Sequence, residues 1–213
     1  MKQHYVSNSE ESSRMFKSDF LEMFSKVHYS VPLIVFVPAI SYFLYMAFTS
    51  SIGLINGVLY FFLGFGIWTI TEYIMHRFVF HFVPKSKIGL RLHFIFHGVH
   101  HDYPKDRLRL VLPPAVSIPL ATAFYFLFRN IILSGGFYSF FAAFLTGYLI
   151  YDMIHYAIHH VQIKGKLWNV LKTHHLKHHY VYPEKGYGVS SPLWDKIAST
   201  EFPTEKKVTS KSA

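Results

Sequence analysis

Lys, Arg, Asp and Glu are missing from three long stretches of this 213-residue sequence: Val27–Thr71, Leu110–Phe128 and Asn130–Tyr151. Crossing the hydrocarbon of a bilayer takes about 20 apolar residues. Each stretch approaches or exceeds that length, and the first is long enough for two crossings and a turn. A buried helix of a soluble protein is seldom apolar around its whole circumference, and these are. Only 15% of the residues are charged and 51% are hydrophobic, against about 25% charged in soluble domains. The expectation is an all-α, polytopic membrane protein with about four transmembrane helices, near Val31–Phe48, Leu54–Met75, Val116–Phe128 and Phe137–Ile154.

The basic residues set an expected orientation. Four Lys or Arg lie in residues 1–26, seven in the loop Arg77–Arg109 and nine after residue 160, whereas the two short turns on the opposite side carry only Arg129. Cytoplasmic loops are enriched in Lys and Arg, so both termini and the middle loop are expected on the cytoplasmic face. The net charge of +9 flanks the apolar runs and forms no patch on a soluble fold, which argues against a nucleic-acid partner. There is no cysteine, which excludes disulfides and iron–sulfur clusters. The chain reads as one domain over 1–213: a polar surface segment at 1–26, spans and first histidine loop at 27–160, and a cap and tail at 161–213. Within the first segment, Phe16–Phe24 has the spacing of a short amphipathic helix at the membrane surface, with Asp19 as N-cap.

Thirteen of the fifteen histidines fall in three clusters at the ends of the expected spans. His97, His100 and His101 stand at i, i+3 and i+4, and His175, His178 and His179 repeat that spacing. On an α-helix these residues project from one face. His155 and His159, at i and i+4, also share a face. His76 and His81 are five apart, about 140° round an α-helix, so either the helix ends between them or they bind different ions. Neutral imidazole suits iron, zinc, copper and nickel. Ten such side chains are too many for one ion and suit two. His93, four before His97, is a ligand or a supporting partner, and His160 and His174 point off the ligand faces. Glu72 and Asp152 lie within apolar helices, where a carboxylate is costly and marks function by default. Their expected role is to accept the outer ring N–H of a ligand histidine and fix its tautomer.

The segments EYIMHRFVFH (Glu72–His81), HGVHHDYPKDRLRLVLPP (His97–Pro114), GYLIYDMIHYAIHH (Gly147–His160), HLKHHY (His175–Tyr180) and KGYGVSSPLWDKI (Lys185–Ile197) resemble the fatty acid 2-hydroxylases of the fatty acid hydroxylase and sterol desaturase superfamily. The resemblance runs from about Phe16 to Glu201. It implies a dimetal, oxygen-dependent membrane enzyme that hydroxylates C2 of a fatty acyl chain, usually the N-acyl chain of a ceramide or other sphingolipid. Its metal ligands would be His76, His81, His97, His100, His101, His155, His159, His175, His178 and His179. Iron would serve activity, although zinc would also fit an all-histidine site.

Many relatives carry an N-terminal cytochrome b5 domain. This sequence resembles the compact members without one, which implies a separate electron donor such as a cytochrome b5 or a ferredoxin with its reductase. The expected partners are therefore a membrane lipid, O2 and that donor. The expected location is the endoplasmic reticulum in a eukaryote or the inner membrane in a bacterium, with the metal site facing the cytoplasm. Tyr151 next to Asp152 is the expected supporting pair at the site, and Tyr187 and Trp194 are expected to cover it. Rival readings are oxidation or hydroxylation of sterols or carotenoids within the same superfamily, and a metal transporter. Transporters place sites near the membrane midplane on broken helices, whereas these histidines gather at span ends.

Overall fold

The computed structural model describes residues 6–7 and 9–203, and every regular element among them is helical. His4 and the tail lysines Lys206, Lys207 and Lys211 lie outside the described residues. The order is α1 (Asp19–Ser25), α2 (Ser30–Thr49), α3 (Leu54–Ile74), a π-helical turn (Met75–Phe80), α4 (Lys87–His93), a second π-helical turn (Phe94–Gly98), α5 (Val99–Asp102), α6 (Pro114–Ile131), α7 (Gly136–His160), α8 (Lys166–Tyr180) and α9 (Leu193–Ile197).

Three helical stretches are long and apolar enough to cross a membrane: Ser30–Thr49, Leu54–Phe80 and Gly136–His160. The fourth expected span is α6. It is an 18-residue helix whose apolar stretch is closed by Arg129 and Asn130, so it falls short of the other three. The chain is a polytopic, all-helical membrane protein with three such spans among the described residues. Side chains of α2 and α3 such as Phe48, Leu54 and Phe62 point outward. In water this would be an error of design, but against acyl chains it is the expected surface.

The central element is α7. Phe137, Phe140, Phe141, Phe144, Leu145 and Tyr148 are all buried and form a core with Phe36 of α2 and Trp68 of α3. Lipid tails are as apolar as these side chains, so close packing rather than hydrophobic transfer holds such helices together. Small residues allow that approach. A Cβ on Gly64 would fall 2.0 Å from the Phe140 carbonyl oxygen, and one on Gly147 would fall 2.5 Å from the Trp68 ring.

Helix α6 packs on the same core through Ala121, Phe124, Tyr125 and Phe128, and the shorter elements form a cap across one end of the spans. Its N-terminal part is latched by charge. Arg109 donates to Glu22 and to Ser25, and it lies 3.3 Å from Asp106. Glu22 also accepts the backbone N–H groups of Met15 and Phe16. Burial alone would raise the Glu22 pKa, but those two N–H groups and the Arg109 guanidinium bring it down to about 2.

Candidate metal centre

The ten expected ligands converge in two groups of five. One contains His76, His81, His97, His101 and His178; the other contains His100, His155, His159, His175 and His179. Within each group the candidate ligand atoms lie within 4.8 Å of one another. The groups share a wall, since the rings of His101 and His179 stack 4.1 Å apart.

Local backbone geometry explains how His76 and His81 come together. Of the two expectations for this pair the first holds: the helical stretch ends at Phe80, between them, and both belong to one group. After Ile74 the helix widens into a π-turn, and the His81 N–H bonds the His76 carbonyl oxygen at 3.1 Å. That i to i+5 closure brings residues five apart over one another, and their Nε2 atoms lie 3.2 Å apart. A second π-turn follows His93. It leaves His93 outside both groups, bonded to the backbone of Phe80.

The nitrogen spacing tests the fit to a metal. Nε2 to Nε2 distances are 3.1 Å for His76–His97, 3.0 Å for His178–His81, 3.1 Å for His100–His179 and 2.9 Å for His179–His175. Two nitrogens held at about 2.1 Å from one ion lie about 3.0 Å apart at right angles and about 3.4 Å apart in a tetrahedron. The observed spacing matches the closer arrangement of five- or six-coordinate ions. The proton positions agree with it. His76 Nδ1 donates to the Tyr187 carbonyl oxygen and His178 Nδ1 donates to the Lys185 carbonyl oxygen, because a carbonyl can only accept. Their Nε2 atoms therefore turn bare lone pairs inward, and such lone pairs repel unless a cation lies between them. Nε2 of His101 and of His155 is buried with no hydrogen-bond partner among the described residues. Burial is the main cause that holds His97, His100, His101, His175 and His179 well below the ordinary histidine value, with neighbouring histidines adding to it. His178 is pushed down to about 3, by burial first and His76 next. Neutral imidazole is the metal-binding form.

The two span carboxylates sit elsewhere than expected, because neither accepts a proton from a ligand ring. Glu72 accepts the backbone N–H groups of Val189 and Ser190, each at 2.9 Å, and the Ser190 hydroxyl. Asp152 accepts the Tyr148 hydroxyl at 3.1 Å and the Leu112 N–H. Each carboxylate thus ties a cap loop to a span. Tyr151 does not pair with Asp152 through its hydroxyl; its ring lies 5.7 Å from that of His155. The Nδ1–H groups of His76 and His178 are taken by the carbonyls of Tyr187 and Lys185, which sequence reasoning missed because every residue has a carbonyl. The one available signal was the glycine pair around Tyr187. Gly186 has φ +70°, and a Cβ on Gly188 would fall 2.0 Å from the Ser191 carbonyl oxygen. Tyr187 packs on His81 with ring centroids 5.2 Å apart, covering that group as expected, and Trp194 donates to Thr69.

A cavity of about 260 Å3 opens beside the centre. Its walls are mainly apolar, including Trp68, Val111, Phe124 and Phe144, and it reaches His97 of one group and His100 and His155 of the other. Phe16, Leu21 and Phe24 of the N-terminal segment form part of its lining.

The structure is that of a helical membrane protein with two histidine quintets that could each hold a metal ion and an apolar cavity that reaches both. The profile described as fatty acid hydroxylase matches residues 61–200, and the chain belongs to that family. It is 40% identical over 215 residues to the fatty acid 2-hydroxylase of Rattus norvegicus, covering 90% of this chain and 57% of that protein. It is 36% identical over 204 residues to a dihydroceramide fatty acyl 2-hydroxylase of Arabidopsis thaliana, covering 95% of this chain and 85% of that protein. The solved structure of full-length scs7p, in which only the hydroxylase domain is visible, superposes with a TM-score of 0.84 at 34% identity, over 88% of this chain and 72% of that one. The chain thus spans little more than half the length of the rat relative.

Proposed function

We propose that this protein hydroxylates C2 of a fatty acyl chain, with the N-acyl chain of a ceramide or other sphingolipid as substrate. The observation that carries this reading is the apolar cavity, which runs among the spans to His97, His100 and His155. The names of the rat and Arabidopsis relatives support the same reaction and lipid class.

The ten histidines of the two quintets would hold two iron ions. When bound, these supply the activation of O2 with two electrons and two protons, so that RH, O2, two electrons and two protons give ROH and water. Zinc would fit the same nitrogens but has no redox chemistry. The chain's own residues contribute position and exclusion of water. The cavity holds the acyl tail among Trp68, Phe124 and Phe144, with the carbonyl end towards His97 and His155. The aromatic side chains of the N-terminal segment close the cavity from the cap side. Because C2 adjoins the acyl carbonyl, a site at the end of the spans lets the polar head stay in the headgroup layer. The basic loops favour a cytoplasmic position for the cap, where an electron donor such as a cytochrome b5, or a ferredoxin with its reductase, delivers electrons.

The test is a lipid profile by mass spectrometry in a host that lacks 2-hydroxylated lipids, with His178→Ala alongside. The expected result is a gain of one oxygen at C2 of acyl chains, absent in the variant. No such product from folded, iron-loaded protein with a competent reductant would overturn the reading. Sterols and carotenoids would then be the substrates to try.

A further inference from the structure

The two quintets differ in how their outer ring nitrogens are held. In the His76 group, two rings donate Nδ1–H to the carbonyls of one loop: His76 to Tyr187, and His178 to Lys185 at 2.7 Å. In the other group, Nδ1 of His100, His175 and His179 is buried with no partner among the described residues. A ligand ring whose outer N–H is held has its tautomer and orientation set before the metal arrives.

The loop that supplies both carbonyls is held by one side chain. Asp195 is fully buried. It accepts the backbone N–H groups of Tyr187 and Gly188, each at 2.8 Å, the Thr200 hydroxyl at 2.7 Å, and His174 Nε2 at 3.0 Å. The Tyr187–Gly188 peptide therefore links Asp195, through the Gly188 N–H, to His76, through the Tyr187 carbonyl. Gly188 leaves room for this approach, since a Cβ there would come within 3.0 Å of Asp195 Oδ2.

We propose that the two metal sites are unequal, and that Asp195 is the positioning residue that makes the His76 site the tighter one by fixing the loop carbonyls on His76 and His178. Metal fills the His76 group first and the His155 group second. This rests on the reading of the quintets as a dimetal centre. Loss of an outer partner of a metal ligand weakens metal binding by about 10–100-fold. Removal of the Asp195 charge acts through the loop on the His76 group; among the described residues no hydrogen bond joins this loop to a ring of the other group.

The experiment is a titration of metal-free full-length protein in detergent with Co2+ against a chromogenic chelator, followed also by the visible ligand-field spectrum. The expected wild-type result is two steps of one ion each. Asp195→Asn, which keeps the side-chain volume, weakens the tighter step by about 10–100-fold, leaves the weaker step in place and changes the spectrum of the first ion. Thr200→Val, which keeps the carboxylate but removes one donor to it, shifts the same step less and serves if the first variant does not fold. Equal weakening of both steps, or an unmoved tighter step, would overturn the inference while leaving the dimetal reading intact. Failure of the wild type to bind two ions would overturn both.

Discussion

Glu72 of α3 accepts the backbone N–H of Ser190, 118 residues later in the chain, at 2.9 Å. The same carboxylate takes the Val189 N–H and the Ser190 hydroxyl. It lies one turn before His76, so the residue that anchors the covering loop and the residue that reaches the first quintet share one helix. Glu72→Ala leaves two buried N–H groups without acceptors, at a cost of about 2–5 kcal/mol. Thermal unfolding in detergent should show a markedly lower midpoint, with reduced metal content in the purified protein. An unchanged midpoint would mean that the loop holds without this anchor.

The N-terminal latch carries a pH signature. Glu22 is held at about 2, against an ordinary value of 4.5. Its folded-state pKa is depressed, so its contribution to stability is fully present above pH 4.5 and is lost as pH falls through about 2. Protection of the segment around α1 against hydrogen exchange should decline over that window. Glu22→Gln should remove this pH dependence and leave the segment loose throughout. A decline of the same size in the variant would assign the effect to another group.

Close packing of α3 on α7 separates two glycines of one helix. A Cβ on Gly64 would collide with the Phe140 backbone, whereas one on Gly66 meets nothing within 4 Å. Gly64→Ala should cost about 1–3 kcal/mol through overpacking, and Gly66→Ala should be neutral or slightly stabilising. Equal melting temperatures for the two variants would contradict the interface described here.

The histidine cluster makes the cap sensitive to acid. His178 has a folded-state pKa of about 3 against an ordinary 6.5, and His97, His100, His101, His175 and His179 are also depressed. Below pH 6.5 the unfolded chain takes up protons that the buried rings cannot, so stability falls as pH drops. Metal-free protein should unfold as it is acidified below that point, and bound metal should delay the transition because it holds the rings neutral. Circular dichroism against pH, with and without added Zn2+, checks this. An apo-protein equally stable at pH 7 and pH 4.5 would contradict it.

Much of this was legible in the order of residues. The charge-free stretches required apolar helices, because a bilayer excludes charge over a known thickness. The HxxHH spacings placed His97, His100, His101 and His175, His178, His179 together, because helical periodicity is a local property. At His76 and His81 helical spacing left two outcomes open, and the π-turn that brings them together leaves no signature in hydropathy. The loop partners of Glu72 and Asp152 were not legible either, because they lie far along the chain.

The sequence by itself determined that this chain enters a membrane and carries ten histidines able to gather at one end of it. Burial of apolar side chains and helical spacing act over a few residues, and neighbours in the chain are enough to read them. Only the tertiary structure decided how the ten divide into two quintets, and that loop carbonyls rather than the span carboxylates hold His76 and His178. The hydrogen bonds that make those choices join backbone atoms common to every residue to side chains up to 118 positions away. A pattern of residue types cannot specify such pairs until packing has brought them together.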